Sequence, residues 1–234
     1  MTTASVKVLP VFLIIASMIA VSTLTAAVSG CNGSNQDQTR TFNDSICTED
    51  LDQTGTEFVT NSDFTGGTAN WRKEERSETG TNFVTEDSNT ACGFALSFVR
   101  ENSNGATGLV GLGQDLRIEK TQTPNVKLQM LLRIDSQQLT SDGFLGGETP
   151  VFISFNYETA TGDTKSYTQG FMVRGSQINY PDRDQDIMPS YWSQYNIDDV
   201  FGKMPDAMRI TKVTIGGNGQ DFHSSVALVS LRGK

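Results

Sequence analysis

The sequence predicts an all-β protein built as an antiparallel β-sandwich. From residue 57 onward, short apolar runs alternate with Gly, Asn, Asp and Pro, the residues that favour turns. No window shows a sustained period of 3.6 residues flanked by helix caps, so helices should be few and short. Strands at this spacing, without helical crossovers between them, are typical of sandwiches and jelly rolls.

Seven segments carry the strand pattern. One of them, Val126 to Ile134, is almost continuously apolar and predicts a largely buried strand. Two others are separated by the turn sequence Ala160-Thr161-Gly162-Asp163 and predict a β-hairpin. The other predicted strands and the two hairpin arms are 93–99, 108–118, 151–157, 165–174, 210–215 and 226–231.

The first 55 residues have the sequence pattern of a targeting segment followed by a polar tether. Lys7 precedes an apolar run, a stretch of small residues follows, and the chain then turns polar, which is the pattern of an export signal. Residues 31–55 have almost no apolar content and cannot bury enough surface to fold alone. The predicted organisation is therefore a signal or anchor at 1–30, a polar tether at 31–55 and one sandwich domain at 56–234.

The sequence Val28-Ser29-Gly30-Cys31 resembles the lipobox of bacterial lipoproteins. The resemblance implies that Cys31 becomes the first mature residue and carries the acyl chains. The alternative is an uncleaved membrane helix, because Val8 to Val28 is just long enough to span a bilayer. Both interpretations place the domain outside the cytoplasm, anchored to a membrane of the cell envelope.

The net charge restricts the classes of binding partner, and the cysteine and histidine content restricts the disulfides and metal sites that the chain can form. The formal net charge of −9 argues against nucleic acid and against docking onto anionic lipid, since both require clustered Lys and Arg. If Cys31 is lipidated, Cys47 and Cys92 remain, and an oxidising compartment favours a disulfide between them. Two buried free thiols are the alternative. With a single histidine, His223, a His/Cys zinc site is excluded.

Three sets of residues resemble the galactose-binding-like jelly rolls, the group that includes many family 4, 9 and 22 carbohydrate-binding modules. The sequence FVTNSDFTGG at 58–67, followed by Trp71, is similar to their N-terminal motif. The last two predicted strands, which flank Gly219 and Asp221, are similar to the last two strands of these modules. Tyr191-Trp192 and Tyr195 are similar to the tryptophan-bearing strand that precedes that pair. The resemblance covers about residues 56–232 and implies a jelly roll with a binding role.

Calcium is left open, and no other cofactor is expected. Many of these modules hold a structural calcium with a carboxylate near the end of the last strand, but residues 225–229 (SVALV) contain none. Asp63 could be a ligand or could cap the turn it lies in. Separately, Asp182, Asp184 and Asp186 alternate along the chain, as the hard oxygen ligands of Ca²⁺ do in some calcium-binding loops, but a solvated acidic loop is the default interpretation, because Arg183 can neutralise charge there without a metal.

Aromatic residues between 178 and 201 give the strongest ligand signal. They lie among Asp, Asn and Gln, and sugar recognition combines flat apolar faces with groups that bind hydroxyls. The alternative is burial, since aromatic side chains dominate the cores of small sandwiches; Trp71 is expected to lie in the core. The predicted ligand contacts are Tyr180, Tyr191, Trp192 and Tyr195.

The sequence contains little that indicates catalysis, and we predict that the protein is not an enzyme. His223 stands near Asp221 and Ser225, but neighbours on a strand face opposite sides, so sequence proximity makes no triad. No nucleophile elbow, phosphate loop or dinucleotide motif is present. The first hypothesis is a binding module for carbohydrate or envelope polymer. The second is an assembly lipoprotein docking onto another envelope protein, and the third a glycosidase or esterase without a recognisable motif.

Overall fold

The computed structural model describes residues 40–41, 47, 51–77, 79–138, 149–173 and 184–234. At residues 40, 41, 89 and 184–186 it describes the backbone alone. Cys31, Tyr180 and Asp182 lie outside the described residues, as do the side chains of Asp184 and Asp186. Among the described residues, no helix has the length and apolar character needed to cross a bilayer.

The described strands form two sheets, which we call sheet A and sheet B. Across sheet A the order is β1 (Arg40–Thr41), β11 (Ser193–Ile197), β7 (Val126–Gln137), β13 (Phe222–Gly233), β5 (Gly93–Glu101) and β4 (Thr81–Thr90), with β2 (Thr56–Glu57) pairing with β13. Across sheet B it is β10 (Asp184–Ile187), β9 (Thr164–Val173), β8 (Thr149–Thr159), β12 (Ala207–Gly219), β6 (Gly108–Glu119) and β3 (Arg72–Ser77).

Pairing is antiparallel except between β9 and β10, which confirms the predicted antiparallel sandwich. The seven predicted strands correspond to β5, β6, β7, β8, β9, β12 and β13, and β8 and β9 form the predicted hairpin. A short 3₁₀ helix, Phe201–Lys203, lies between β11 and β12.

The main core lies between the two sheets. On β7, Leu128, Met130 and Leu132 point inward and are fully buried, as the strict alternation of a strand requires. Trp71 lies in this core with its ring centroid 5.6 Å from that of Phe64, so the prediction that Trp71 is a core residue is confirmed.

The turn after β2 shows what Asp63 does. Its Oδ1 accepts hydrogen bonds from the Thr65 backbone N–H (3.2 Å) and the Thr65 hydroxyl (3.0 Å). Asn61 and Phe64 adopt left-handed backbone conformations, with φ of 54° and 56°. Asp63 therefore caps this turn, one of the two roles that the sequence left open for it.

Sheet A also carries apolar side chains on its outer face, away from the main core. They form a small cluster of Ala95, Leu131, Trp192, Ala227 and Leu228. Cys47, Leu51 and Cys92 pack against this cluster, and we call Cys47 together with residues 51–55 the strap. Cys47 and Cys92 form a disulfide with a Cα–Cα distance of 4.7 Å, as predicted.

Arg100 is the one fully buried cation of the described residues. Its guanidinium forms no ion pair with a carboxylate of the described residues and donates instead to five neutral acceptors within 3.0 Å: the carbonyl oxygens of Thr79, Ala106 and Gly219, the Ser77 hydroxyl and Asn82 Oδ1. These acceptors lie at the end of β3, in the β3–β4 connection, on β4, in the β5–β6 loop and at the end of β12. Arg100 therefore ties the two sheets together at one end of the sandwich.

Candidate functional site

A polar groove of about 640 Å³ lies on the outer face of sheet A, between the strap and strands β7, β11 and β13. The strap contributes Asp52 and Thr54 to one side of the groove. The lining residues from the rest of the described chain are Asn125, Lys127, Leu128, Gln129, Asn196, Asp198, Ser230, Arg232 and Lys234.

Strand register places the central groups of the groove in one row. Gln129 on β7 pairs with Asn196 on β11 and with Ser230 on β13. Directly paired residues of antiparallel strands project from the same face of a sheet. Because Leu128 and Met130 point into the core, this row faces outward, and it is held on three adjacent strands rather than on mobile loops.

Two side-chain amides in the groove have no hydrogen-bond partner among the described residues. Gln129 and Asn125 make no side-chain hydrogen bond to the described chain, and the Asn196 amide nitrogen is also unused, although its Oδ1 accepts from Gln194 Nε2 (3.2 Å). An amide carries two donors and an acceptor. The groove thus presents several hydrogen-bonding groups that an external ligand can satisfy.

The charges of the groove nearly balance. Lys127 Nζ lies 3.6 Å from Asp52 Oδ2 and 3.9 Å from Asp198 Oδ1. Arg232 is occupied by the chain itself, with its Nη2 donating to Gln53 Oε1 (2.9 Å) and its Nη1 to the Gln53 carbonyl (2.9 Å). With Lys234, three cations face two carboxylates, so the groove selects strongly for neither anions nor cations.

The strap also sets the ionisation of Asp52. Hydrogen bonds from the Thr54 hydroxyl and the Thr54 backbone N–H, aided by Lys127, lower the pKa of Asp52 from 3.8 to about 2. Because the folded-state pKa is depressed, the contribution of this carboxylate to stability is complete above pH 3.8 and is lost as the pH falls towards 2. Asp52 therefore remains an acceptor in mildly acidic solution.

Removing the Thr54 hydroxyl tests this origin of the low pKa. We expect Thr54→Val to move the pKa of Asp52 back towards 3.8, since the side-chain hydrogen bond is the largest cause of the shift. Carboxyl carbon chemical shifts followed by NMR from pH 6 to pH 1.5 measure it. Thr161→Val, which removes a hydroxyl donor to Asp163 instead, is the matched control. A pKa of about 2 retained in Thr54→Val would contradict the assignment.

The predicted aromatic contacts require a correction. Trp192 and Tyr195 are 1% and 0% exposed, Trp192 in the small outer cluster and Tyr195 in the main core against Phe171. A ring enclosed by protein cannot stack on a ligand in this conformation, and none of the described lining residues of the groove is aromatic. Tyr191 is 43% exposed, and its contact with a ligand stays a prediction.

Sequence reasoning missed the groove residues that the structure brings together. Gln129 lies inside a segment that was assigned as a largely buried strand, and Asn196 lies between two buried residues of β11. The sequence did contain one indication of the groove. Lys127 and Gln129 alternate with buried Val126, Leu128 and Met130, and this alternation predicts that the two polar side chains face away from the core.

The described residues show no metal-binding group of three or more His, Cys, Asp or Glu side chains. Asp63 is engaged with Thr65. The calcium prediction for Asp182, Asp184 and Asp186 concerns side chains outside the described residues, so it stays a prediction.

Two arrangements bear on the prediction that the protein is not an enzyme. Asp52 and Asp198 share Lys127, and the lowered pKa of Asp52 is the opposite of what the general acid of a glycosidase requires. His223 Nε2 lies 3.9 Å from Asp135 Oδ2, and Asp221 accepts a hydrogen bond from the Ser103 N–H. The Ser225 hydroxyl is buried against that of Ser97 and offers no accessible nucleophile.

The outer face of sheet B differs from the groove because its charged side chains are paired with each other. Lys212 contacts Glu74, Arg72 Nη2 lies 2.9 Å from Asp115, and Arg209 contacts both Glu119 and Glu158. The free amides of the groove make it the stronger candidate for binding in the described part of the chain.

Comparison with known proteins finds similarity in fold alone. No protein-family model and no curated protein matches the chain. Among solved structures it is similar to the family 11 carbohydrate-binding module of a cellulosomal cellulase of Clostridium thermocellum, with 13% identity, 78% of this chain and 97% of that chain covered, and a TM-score of 0.44. It is also similar to TmCBM61, solved with β-1,4-galactotriose, with 13% identity, 76% of this chain and 99% of that chain covered, and a TM-score of 0.43. A third similar structure is the CBM22-1 xylan-binding domain from Paenibacillus barcinonensis, with 11% identity, 78% of this chain and 97% of that chain covered, and a TM-score of 0.41. Because these sequence identities and TM-scores are low, the similar structures do not assign a function to this chain, and the assignment depends on the residues of the groove.

Proposed function

We propose that the chain is a non-catalytic binding module for a carbohydrate or a hydroxyl-rich envelope polymer, which it binds in the groove on sheet A. The observation that carries the proposal is the set of hydrogen-bonding groups left free by the described residues, the side-chain amides of Gln129 and Asn125 and the amide nitrogen of Asn196, in an open groove of about 640 Å³. A ligand rich in hydroxyl groups can donate to the amide oxygens and accept from the amide nitrogens.

The balance of charge supports a neutral ligand. An anionic polymer would meet Asp52 and Asp198, and a cationic one would meet Lys127, Arg232 and Lys234. A neutral glycan avoids both repulsions and can still use the carboxylates as acceptors. Because the described lining holds no aromatic ring, recognition in this groove depends on hydrogen bonds, in place of the stacking that the sequence suggested.

The proposal includes the location of the domain. Cys31 carries the lipid anchor, and the chain from residue 31 connects that anchor to a sandwich standing outside the cytoplasm. A single anchored module of this kind holds a polymer close to the membrane without modifying it. Replacing Cys31 by Ser should release the protein from the membrane, whereas retention after detergent-free washing would indicate an uncleaved helix.

Retention on polysaccharides tests the function. Residues 36–234, which form one compact unit, are passed over xylan, β-1,3-1,4-mixed-linked glucan, galactan and cell-wall preparations, with calcium and with chelator. We expect retention on at least one polymer, and loss of retention with chelator would support a calcium site. No retention on any polymer would overturn the proposal in favour of a protein partner.

Two substitutions assign any binding to the groove. We expect Gln129→Ala and Asn196→Ala each to weaken affinity about fivefold, the loss of one net hydrogen bond of about 1 kcal/mol. Asn156→Ala is the matched control, since Asn156 is an asparagine of similar burial on the outer face of sheet B. Affinity measured by calorimetry should be unchanged in the control. A loss confined to Asn156→Ala would place the site on sheet B.

A further inference from the structure

The floor of the groove follows strand β7. Asn125, Lys127 and Gln129 line it, and because every second residue of a strand projects from the same face, their side chains form one line. At about 3.4 Å per residue, Asn125 and Gln129 lie about 14 Å apart along this line. Strand β13, to which Arg232 fixes the strap through the Gln53 carbonyl, flanks β7 on one side, and β11 flanks it on the other. The long axis of the groove therefore runs parallel to β7.

One end of this floor is closed by protein. Beyond Gln129, the next residues on the same face are Leu131 of β7 and Leu228 of β13, which pair directly with each other. They are 3% and 7% exposed and belong to the small outer cluster on which Leu51 of the strap packs. A ligand that lies on the floor meets covered side chains at this end, so it cannot continue along β7.

The opposite end of the floor is open to water. Asn125 and Lys234 line the groove there, and the Lys234 backbone N–H donates to the Asn125 carbonyl (3.4 Å). Both residues are exposed, and the side chain of Asp198 beside them is 95% exposed. Strand β7 begins at Val126, so Asn125 marks the end of this strand. A long ligand can therefore leave the groove past Asn125.

The free hydrogen-bonding groups at the closed end suit a terminal sugar unit. Gln129 and Asn196 are directly paired there, and the Gln129 amide and the Asn196 amide nitrogen are unused by the described residues. The unit at the end of a glycan carries a hydroxyl group that an internal unit has converted into a glycosidic bond. That hydroxyl can donate to the Gln129 amide oxygen and accept from the Asn196 amide nitrogen. The closed end thus offers partners for the group that distinguishes a chain end from the interior of a chain.

We propose that the groove binds the end of a glycan chain, with the terminal unit at Gln129 and the rest of the chain leaving past Asn125. This inference rests on the function proposed for the groove. The interior of a polymer needs an exit at both ends of a groove, whereas a chain terminus needs only one. The module therefore binds free oligosaccharides and the ends of polymers, and it does not bind along the length of a polymer.

The number of protein molecules bound per glycan chain tests the proposal. The full chain, in a detergent without a sugar headgroup, is titrated by calorimetry with linear mixed-linked β-1,3-1,4-glucan, xylan and β-1,4-galactan, each intact and after partial hydrolysis. We expect one protein molecule per chain at both lengths, so cutting each chain into ten fragments should lower the mass of glycan needed for saturation about tenfold. Several molecules bound per intact chain would overturn chain-end binding and leave the function proposed for the groove standing.

Oligosaccharides of two lengths test the position of the terminal unit. Gln129→Ala should weaken binding of a disaccharide and of a tetrasaccharide alike, about fivefold for one net hydrogen bond. Asn125→Ala should weaken binding of the tetrasaccharide more than that of the disaccharide, and Asn156→Ala on sheet B remains the control. A disaccharide weakened by Asn125→Ala and not by Gln129→Ala would overturn this placement of the chain end. No binding of any glycan would contradict the function proposed for the groove, and this inference with it.

Discussion

Replacing Arg100 by alanine should lower the free energy of unfolding by on the order of 4 kcal/mol, because five acceptors lose a charged donor in the interior. Three of those acceptors are backbone carbonyls, two in the β3–β4 and β5–β6 connections and one at the end of β12, so the substitution also disconnects the strand ends that Arg100 joins. Urea unfolding followed by circular dichroism measures the loss. Arg100→Lys should recover part of it, since an ammonium keeps the charge but has three donors.

Two further variants test whether the loss of stability in Arg100→Ala comes from the missing guanidinium contacts. Arg76→Ala removes an exposed arginine of β3 and should change stability by less than about 0.5 kcal/mol. Gly108→Ala leaves Arg100 in the sequence but places a Cβ 2.5 Å from its guanidinium carbon, so it should destabilise by displacing that group. Equal, small effects of Arg100→Ala and Arg76→Ala would contradict the role assigned to Arg100.

Removing the disulfide should have an effect of similar size. For a sequence separation of 45 residues, the loss of the cross-link should cost about 4 kcal/mol, chiefly because the unfolded chain gains freedom. Cys47→Ser/Cys92→Ser and oxidised wild type are compared by urea unfolding without reductant. Reduced wild type should match the double variant, which controls for the side-chain change. Identical unfolding midpoints of oxidised wild type and double variant would contradict a stabilising bridge.

The strands that fill the core were predictable, and those at the sheet edges were not. In Val126 to Ile134 a buried apolar residue recurs at every second position, and Leu131 is added on the outer face under the small apolar cluster, which makes the segment recognisable as a strand. In contrast, β3 has the sequence RKEERS and is mostly exposed. Charged residues at an edge prevent association with other sheets, and they remove the alternation by which a strand is recognised.

The site was harder to predict than the fold. Trp192 lies on an outward face of sheet A, where a sequence argument expects exposure, but the strap packs against its cluster from a distant part of the chain. Burial of that kind depends on a long-range contact that no local pattern encodes. The groove likewise combines Gln129, Asn196 and Asp52 from separate segments, and only strand register brings the first two side by side.

The most direct test of the groove is an NMR titration of residues 36–234 with a β-1,3-1,4-mixed-linked tetrasaccharide and with xylo-oligosaccharides, observing side-chain amide resonances. We expect saturable shifts at Gln129, Asn125 and Asn196, whose amides are available to a ligand, and no shift at Asn156 on sheet B. Shifts centred on Asn156, with the three groove amides unchanged, would contradict the account.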